Sequence, residues 1–350
     1  MNPHLLSALA AGFVVNSTWG RRRPKPPPPG RFADVAGRRI HYVERPGEGL
    51  PVVLLHGMPG THLDFAGVVA ALPNRHIIAI DRPGYGWSEG GPLDYRAQIG
   101  LVPELLAALG VGRALLAGHS FGGLLALSVT ALHPQVVGGL ALIAPSGGGL
   151  RSGRFRMGAA RMVKALQTPG IRQLADVTVG GLARRTGAVI DVRFAFAPDP
   201  VDREYAARLN FVSLHDDNLS AMANDRLAYN RNIAWIDECI PSLDVPAVVL
   251  LARGDRPIPI RHGRRLASTL PHATVIEVDG GHMLPVVQPD VVAAAVRSLA
   301  NDRHPGLQGD GHGTARGLTP ASRRGRVSGA RVTMSTRSSV DRLRATEHMD

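Results

Sequence analysis

Apolar residues recur along the chain in two rhythms, and the order in which those rhythms alternate predicts the fold class. Short runs rich in Val, Ile and Leu stand at Val52 to Leu55, His76 to Ile80, Ala114 to Leu116, Gly139 to Ile143, Val245 to Leu251 and Thr274 to Val278. Apolar runs of that length without polar alternation suit parallel strands buried on both faces. Ahead of them, Arg31 to Ala36 and Arg38 to Glu44 alternate around Gly37, a pattern that predicts an antiparallel hairpin at a sheet edge. Helical spacing fills the intervals, as at Tyr95 to Leu109 and Phe121 to Leu132. Strand and helix therefore alternate as in a mostly parallel, doubly wound α/β sheet.

One interval breaks the rhythm. From Pro145 to Pro246 no strand-like run occurs, and amphipathic stretches such as Phe155 to Gln167, Asp202 to Leu214 and Leu219 to Ile236 predict a helical cap inserted over the sheet. The expected division is an apolar amino-terminal segment and Pro-rich linker over 1–30, a core of 31–145 and 246–302, a cap over 146–245, and a tail over 303–350. That tail is rich in Gly, Arg, Ser and Thr with few large apolar residues, too few to offset the entropy of ordering, so it reads as mostly unstructured.

Charge adds little to the core. The 350 residues carry a formal net charge of +12, but residues 1–31 hold five basic groups and no acid, while residues 301–350 hold nine Arg against five acids. The part between is close to neutral, which argues against a nucleic-acid-binding face, and no stacking-aromatic or recognition-helix pattern accompanies the basic tails. The stretch from Leu5 to Trp19 is apolar but interrupted by Asn16 and Ser17, and Arg21-Arg22-Arg23 follows it. It is short for a spanning helix and lacks the basic start of a secretory signal, so membrane association through residues 5–19, or a cytoplasmic location, is expected ahead of secretion. The single cysteine, Cys239, has no disulfide partner in the chain and reads as a small buried hydrophobe.

The chemistry-bearing signal is Gly118-His119-Ser120-Phe121-Gly122-Gly123, directly after one strand run and directly before a helical one. A serine at the tip of a sharp strand-to-helix turn needs residues without side chains two positions to either side, and Gly118 and Gly122 meet that need. The turn also sets Ser120 at a helix amino terminus, where N–H groups favour developing negative charge. A serine hydroxyl needs a base at neutral pH. Among 14 histidines, His282 stands in Gly280-Gly281-His282-Met283 just past the last strand run, at the sheet edge where such folds carry functional loops. The imidazole in turn needs a carboxylate. Asp255, just past Val245 to Leu251, is the candidate, and Asp279 is its rival. His119 is expected to point away from Ser120, and His56 to shape a loop. His62 and Asp64 lie close together but without further metal-ligand spacing, so they read as a surface loop, and neither a metal nor a cofactor is expected.

The order Ser120, Asp255, His282 resembles the α/β-hydrolase superfamily. His56-Gly57-Met58-Pro59-Gly60 resembles that family's loop after the third strand, and Asp81-Arg82-Pro83-Gly84-Tyr85-Gly86-Trp87-Ser88 its D-x-x-G-x-G-x-S turn, found in esterases, epoxide hydrolases and dehalogenases with helical caps. The resemblance covers about residues 31 to 300. It implies backbone N–H groups of Met58 and Phe121 as the oxyanion hole, supported by Gly57, Gly118, His119 and Gly122. Dehalogenases and epoxide hydrolases of this family carry aspartate at the elbow, so Ser120 points instead to an acyl-enzyme. The function expected first is hydrolysis of a small carboxylic ester or related acyl compound. Carbon–carbon bond hydrolysis or a cofactor-free perhydrolase or haloperoxidase-type reaction comes second, and a receptor-like protein that binds without turnover is the reading from another class. Phe155, Met157, Phe194, Phe196, Phe211, Met222 and Trp235 are candidates to line the cap side of a pocket.

Overall fold

A computed structural model describes residues 26–150, 192–205 and 216–301, together with Thr333–Ser335 and scattered positions between. The apolar stretch 5–19 and the pocket candidates Phe155, Met157 and Phe211 lie outside them. Among the described residues no helix is long and apolar enough to cross a membrane.

The strands are β1 (Arg31–Val35), β2 (Arg38–Arg45), β3 (Glu48–Leu55), β4 (Arg75–Ile80), β5 (Ala114–His119), β6 (Val137–Ile143), β7 (Ala247–Ala252), β8 (Ala273–Val278) and β9 (Thr333–Ser335). They form one sheet in the order β1-β2-β4-β3-β5-β6-β7-β8-β9. The strands from β4 to β8 in that order run parallel, while β1, β2 and β9 add antiparallel pairings at the two edges. The hairpin β1-β2 turns at Ala36 and Gly37, whose φ angles are 48° and 72°.

Successive side chains of a strand face opposite sides, and both sides here are covered. Val53, Leu55, Leu116, Leu140, Leu142, Val249 and Leu251 pack with helices α2 (Tyr95–Ala108), α3 (Phe121–Leu132), α4 (Asp216–Cys239) and α5 (Ile260–Thr269). Val52, Leu54, Leu115, Ala117, Val248 and Leu250 face the other way, onto α1 (Ala66–Ala71) and α7 (Pro289–Asn301). A one-turn helix, α6 (Leu284–Val287), leads into α7. The apolar runs lack alternation for this reason: each face has its own layer of helices to bury against.

Within the tail 303–350, read as mostly unstructured, Thr333–Ser335 pairs antiparallel with Val275, Ile276 and Glu277 of β8. Without β9, β8 would be an edge strand with a row of unpaired N–H and C=O groups, which another extended segment can satisfy. Cys239 closes α4 half-buried, not in the core.

Candidate active site

The parallel strands end at one edge of the sheet, and the loops that leave that edge carry His56, Asp81, Ser120, Asp255 and His282. β5 stops at His119, Ser120 takes φ 53° and ψ −118°, and α3 begins at Phe121. For a residue with a Cβ that positive φ is strained, and such strain persists only where surroundings enforce it. Enforcement comes from both glycines: a methyl on Gly118 would collide with the Gly122 backbone, and one on Gly122 with the carbonyl groups of Leu55 and His56. The Ser120 N–H donates to the Ile143 carbonyl at 3.0 Å, and the Ser120 carbonyl accepts from Ser146 N–H at 3.0 Å. The elbow is thereby tied to β6 and the turn after it.

His282 and Asp255 meet across two separate loops. Nδ1 of His282 donates to Oδ2 of Asp255 at 2.7 Å, both groups being buried. The other carboxylate oxygen, Oδ1, accepts from the Ile258 N–H at 2.7 Å, so the acid is held at both ends. This pairing fixes the proton on Nδ1 and leaves Nε2 for proton exchange. Asp279, the rival acid, is 78% exposed and pairs with Arg253 at 3.0 Å. Nε2 of His119 donates to the His282 carbonyl at 2.9 Å, with the two rings 4.7 Å apart. Burial, with His282 next to it, pushes the His119 pKa well below its usual value, so His119 stands as a neutral ring behind His282.

The loop after β3 lies against the elbow. A Cβ on Gly57 would stand 3.2 Å from the Ser120 Cβ, and 3.2 Å from His119 Nδ1. His56 lies beneath this loop, its pKa lowered to about 3 by burial and by the Arg82 charge. Its Nε2 accepts from the Arg82 N–H at 2.9 Å, so the single proton of the neutral ring sits on Nδ1 and is donated to the Gly57 carbonyl at 2.9 Å.

His62 and Asp64 are buried, which corrects their reading as a surface loop. His41, His62 and Asp81 place ligand-type atoms within 4.8 Å of one another. The carboxylate is nevertheless fully engaged: Oδ2 accepts from His41 Nδ1 and Trp87 N–H, and Oδ1 from the N–H and Nδ1 of His62. Burial would raise the Asp81 pKa, but the two histidine hydrogen bonds hold it well below the carboxylate range. These hydrogen bonds tie β2 to the loops after β3 and β4. Asp64 behaves differently: burial raises its pKa to about 7, while the Tyr205 hydroxyl donates to Oδ1 at 2.9 Å and Oδ2 has no partner.

Residues 192–205 cover the His282 loop. Asp199 Oδ2 accepts from the Gly281 N–H at 2.6 Å, and Phe196 and Tyr205 pack on Met283. Of the pocket candidates, Phe196 is buried in that contact and Phe194 is exposed. Sequence reasoning missed Asp199, Tyr205, Asp225 and Arg82 as site-supporting residues. Arg82 stands in the quoted turn motif, whereas Asp199, Tyr205 and Asp225 carry no local signal.

A family model described as the alpha/beta hydrolase fold matches residues 51–289. A 2-hydroxy-6-oxononadienedioate/2-hydroxy-6-oxononatrienedioate hydrolase of Burkholderia vietnamiensis is 27% identical over 67% of this chain and 81% of its own length. The dihydrolipoyllysine-residue acetyltransferase component of the acetoin cleaving system of Pseudomonas putida is 39% identical, over 41% of this chain and 41% of that protein. The chain thus spans under half of the length of that relative. Among solved structures, the enol-lactonase from Burkholderia xenovorans LB400 superposes with a TM-score of 0.63 at 25% identity, covering 77% of this chain and 98% of the enol-lactonase.

Proposed function

Because the chain belongs to the α/β-hydrolase family, we propose that it is a serine hydrolase that opens a carbonyl substrate through an acyl-enzyme, with Ser120 as nucleophile, His282 as base and Asp255 as the acid orienting the base. The observation that carries this reading is the 2.7 Å contact between Asp255 and His282, at the sheet edge where Ser120 is held in the left-handed region. In this reaction Nε2 of His282 takes the Ser120 proton as Oγ attacks the carbonyl carbon. The N–H groups of Met58 and Phe121 receive the oxyanion, the carbonyl re-forms, and the leaving group departs with the proton from His282. Water then repeats the attack and frees the acid. A small carboxylic ester or lactone is the substrate class put first, supported by the likeness to the enol-lactonase.

Carbon–carbon bond hydrolysis is the second reading, favoured by the relative that acts on 2-hydroxy-6-oxo dienedioates and aligns over 81% of its length. It calls on the same attack at a carbonyl and differs in the leaving group. The test that needs no substrate is labelling of the full chain with a fluorophosphonate and mapping of the adduct. Ser120 is expected to carry it, with Ser120→Ala and His282→Ala silent. A folded wild type that stays unlabelled would sink the proposal, and labelling without turnover on any ester or diketone panel would favour a binding protein.

A further inference from the structure

Arg82 is fully buried, and every polar atom of its guanidinium is spoken for. Nε donates to the His56 carbonyl at 3.1 Å, Nη2 to the Gly57 carbonyl at 2.9 Å, and Nη1 to both Gln98 Oε1 at 2.9 Å and Asp225 Oδ2 at 2.8 Å. Asp225 stands on α4, in the segment between β6 and β7, and is itself held by the Tyr85 hydroxyl at 2.8 Å and by Gln98 Nε2 at 2.7 Å. The guanidinium lies over the rings of Tyr85 and Phe121, at 4.6 and 4.8 Å from their centroids. Burial alone would lower the Arg82 pKa, but the Asp225 charge beside it more than restores it, so the cation persists.

A buried ion pair is weak evidence for stability, because desolvation offsets most of the attraction. Its geometry has a specific consequence here. The Gly57–Met58 peptide is trans, so its C=O and N–H point in opposite directions within one rigid plane. The Gly57 carbonyl accepts from both Arg82 Nη2 and His56 Nδ1, which fixes that plane and aims the Met58 N–H away from Arg82. Charge-assisted donation to the carbonyl also polarises the peptide and strengthens its N–H as a donor.

We infer that Arg82, locked by Asp225 of α4, is a positioning residue that aims and polarises the Met58 N–H for the oxyanion. The inference rests on the serine-hydrolase reading above. It also couples the segment over the sheet to the reacting centre: a shift of α4 that loosens Asp225 loosens the peptide plane at the site.

The test compares acylation of the full chain by 4-nitrophenyl acetate and by its thionoester, in which sulfur accepts hydrogen bonds poorly and gains little from an oxyanion hole. Arg82→Met with Asp225→Leu removes both charges together and leaves no buried ion unpaired. Asp225→Asn keeps the shape and a hydrogen-bonding oxygen, and decides the matter if the double variant does not fold. The oxoester rate is expected to fall about 10- to 100-fold, by analogy with loss of an oxyanion donor, with the thionoester rate nearly unchanged and KM little affected. Their ratio therefore collapses. Equal losses on both esters in a folded variant, or no loss, would overturn the positioning role. A wild type unlabelled at Ser120 by fluorophosphonate overturns the serine-hydrolase reading and this inference with it, whereas a labelled wild type with an unaltered ratio in the variants overturns only the inference.

Discussion

At the scale of single residues, the tautomer of His282 is defined by which proton its partner fixes. Asp255 receives Nδ1–H of His282, so an amide in its place can turn its NH2 toward the ring and stabilise the wrong tautomer. Asp255→Asn is expected to lower the acylation rate about 10⁴-fold with little change in the melting transition. Asp279→Asn, in an exposed ion pair with Arg253, is expected to leave the rate unchanged. The reverse ranking, measured on one ester, would transfer the role to Asp279. The turn at Ser120 was legible because its two glycines are local, and the meeting of His282 with Asp255 because each stands shortly after a strand run. Arg82 was not, since its role depends on Asp225, 143 residues away, in a helix whose sequence announces only amphipathicity.

At the scale of elements, the elbow works because strand, turn and helix approach more closely than side chains allow. Gly122→Ala places a methyl against the backbone carbonyl of Leu55 on β3, and a backbone in the middle of a sheet cannot give way. The expected loss is about 3 kcal/mol, near the upper end for overpacking, together with loss of fluorophosphonate labelling. Gly100→Ala is the contrast, since Gly100 lies within α2 with open space around its Cα. There the gain in helix propensity is expected to raise stability by about 1 kcal/mol. Urea unfolding of both variants separates the two cases, and equal effects would show that close approach is not what the elbow glycines serve. Element type was legible for the same reason that packing is tight: runs such as Val52 to Leu55 must satisfy two faces at once. Element ends were less so. β3 begins at Glu48 because its backbone pairs with Arg75, and β9 exists through pairing with β8, and neither pairing leaves a mark in hydropathy.

At the scale of the whole molecule, the charge visible in the sequence lies mainly in the termini, while the charges that govern the folded core are buried and few. Two of them pull stability in opposite directions with pH. His56 has its pKa lowered to about 3, so between about pH 3 and 6.5 the unfolded chain takes up a proton that the fold refuses, and stability rises with pH. Asp64 has its pKa raised to about 7 by burial, so between about pH 4 and 7 the fold keeps a proton that the unfolded chain has released, and stability falls with pH. Where these windows overlap the two slopes offset one another. Asp64→Asn removes only the falling slope, and the amide oxygen can still accept from the Tyr205 hydroxyl. The stability of the variant relative to wild type is therefore expected to increase from pH 5 to pH 8, by at most about 3 kcal/mol for some two units of additional proton release avoided. Urea midpoints of both proteins at the two pH values measure it directly, and the contributions of His56, His119 and Asp81 cancel in the comparison. A difference that does not change with pH would mean that Asp64 is ionised in the fold, with the Tyr205 hydroxyl sufficient to hold its charge.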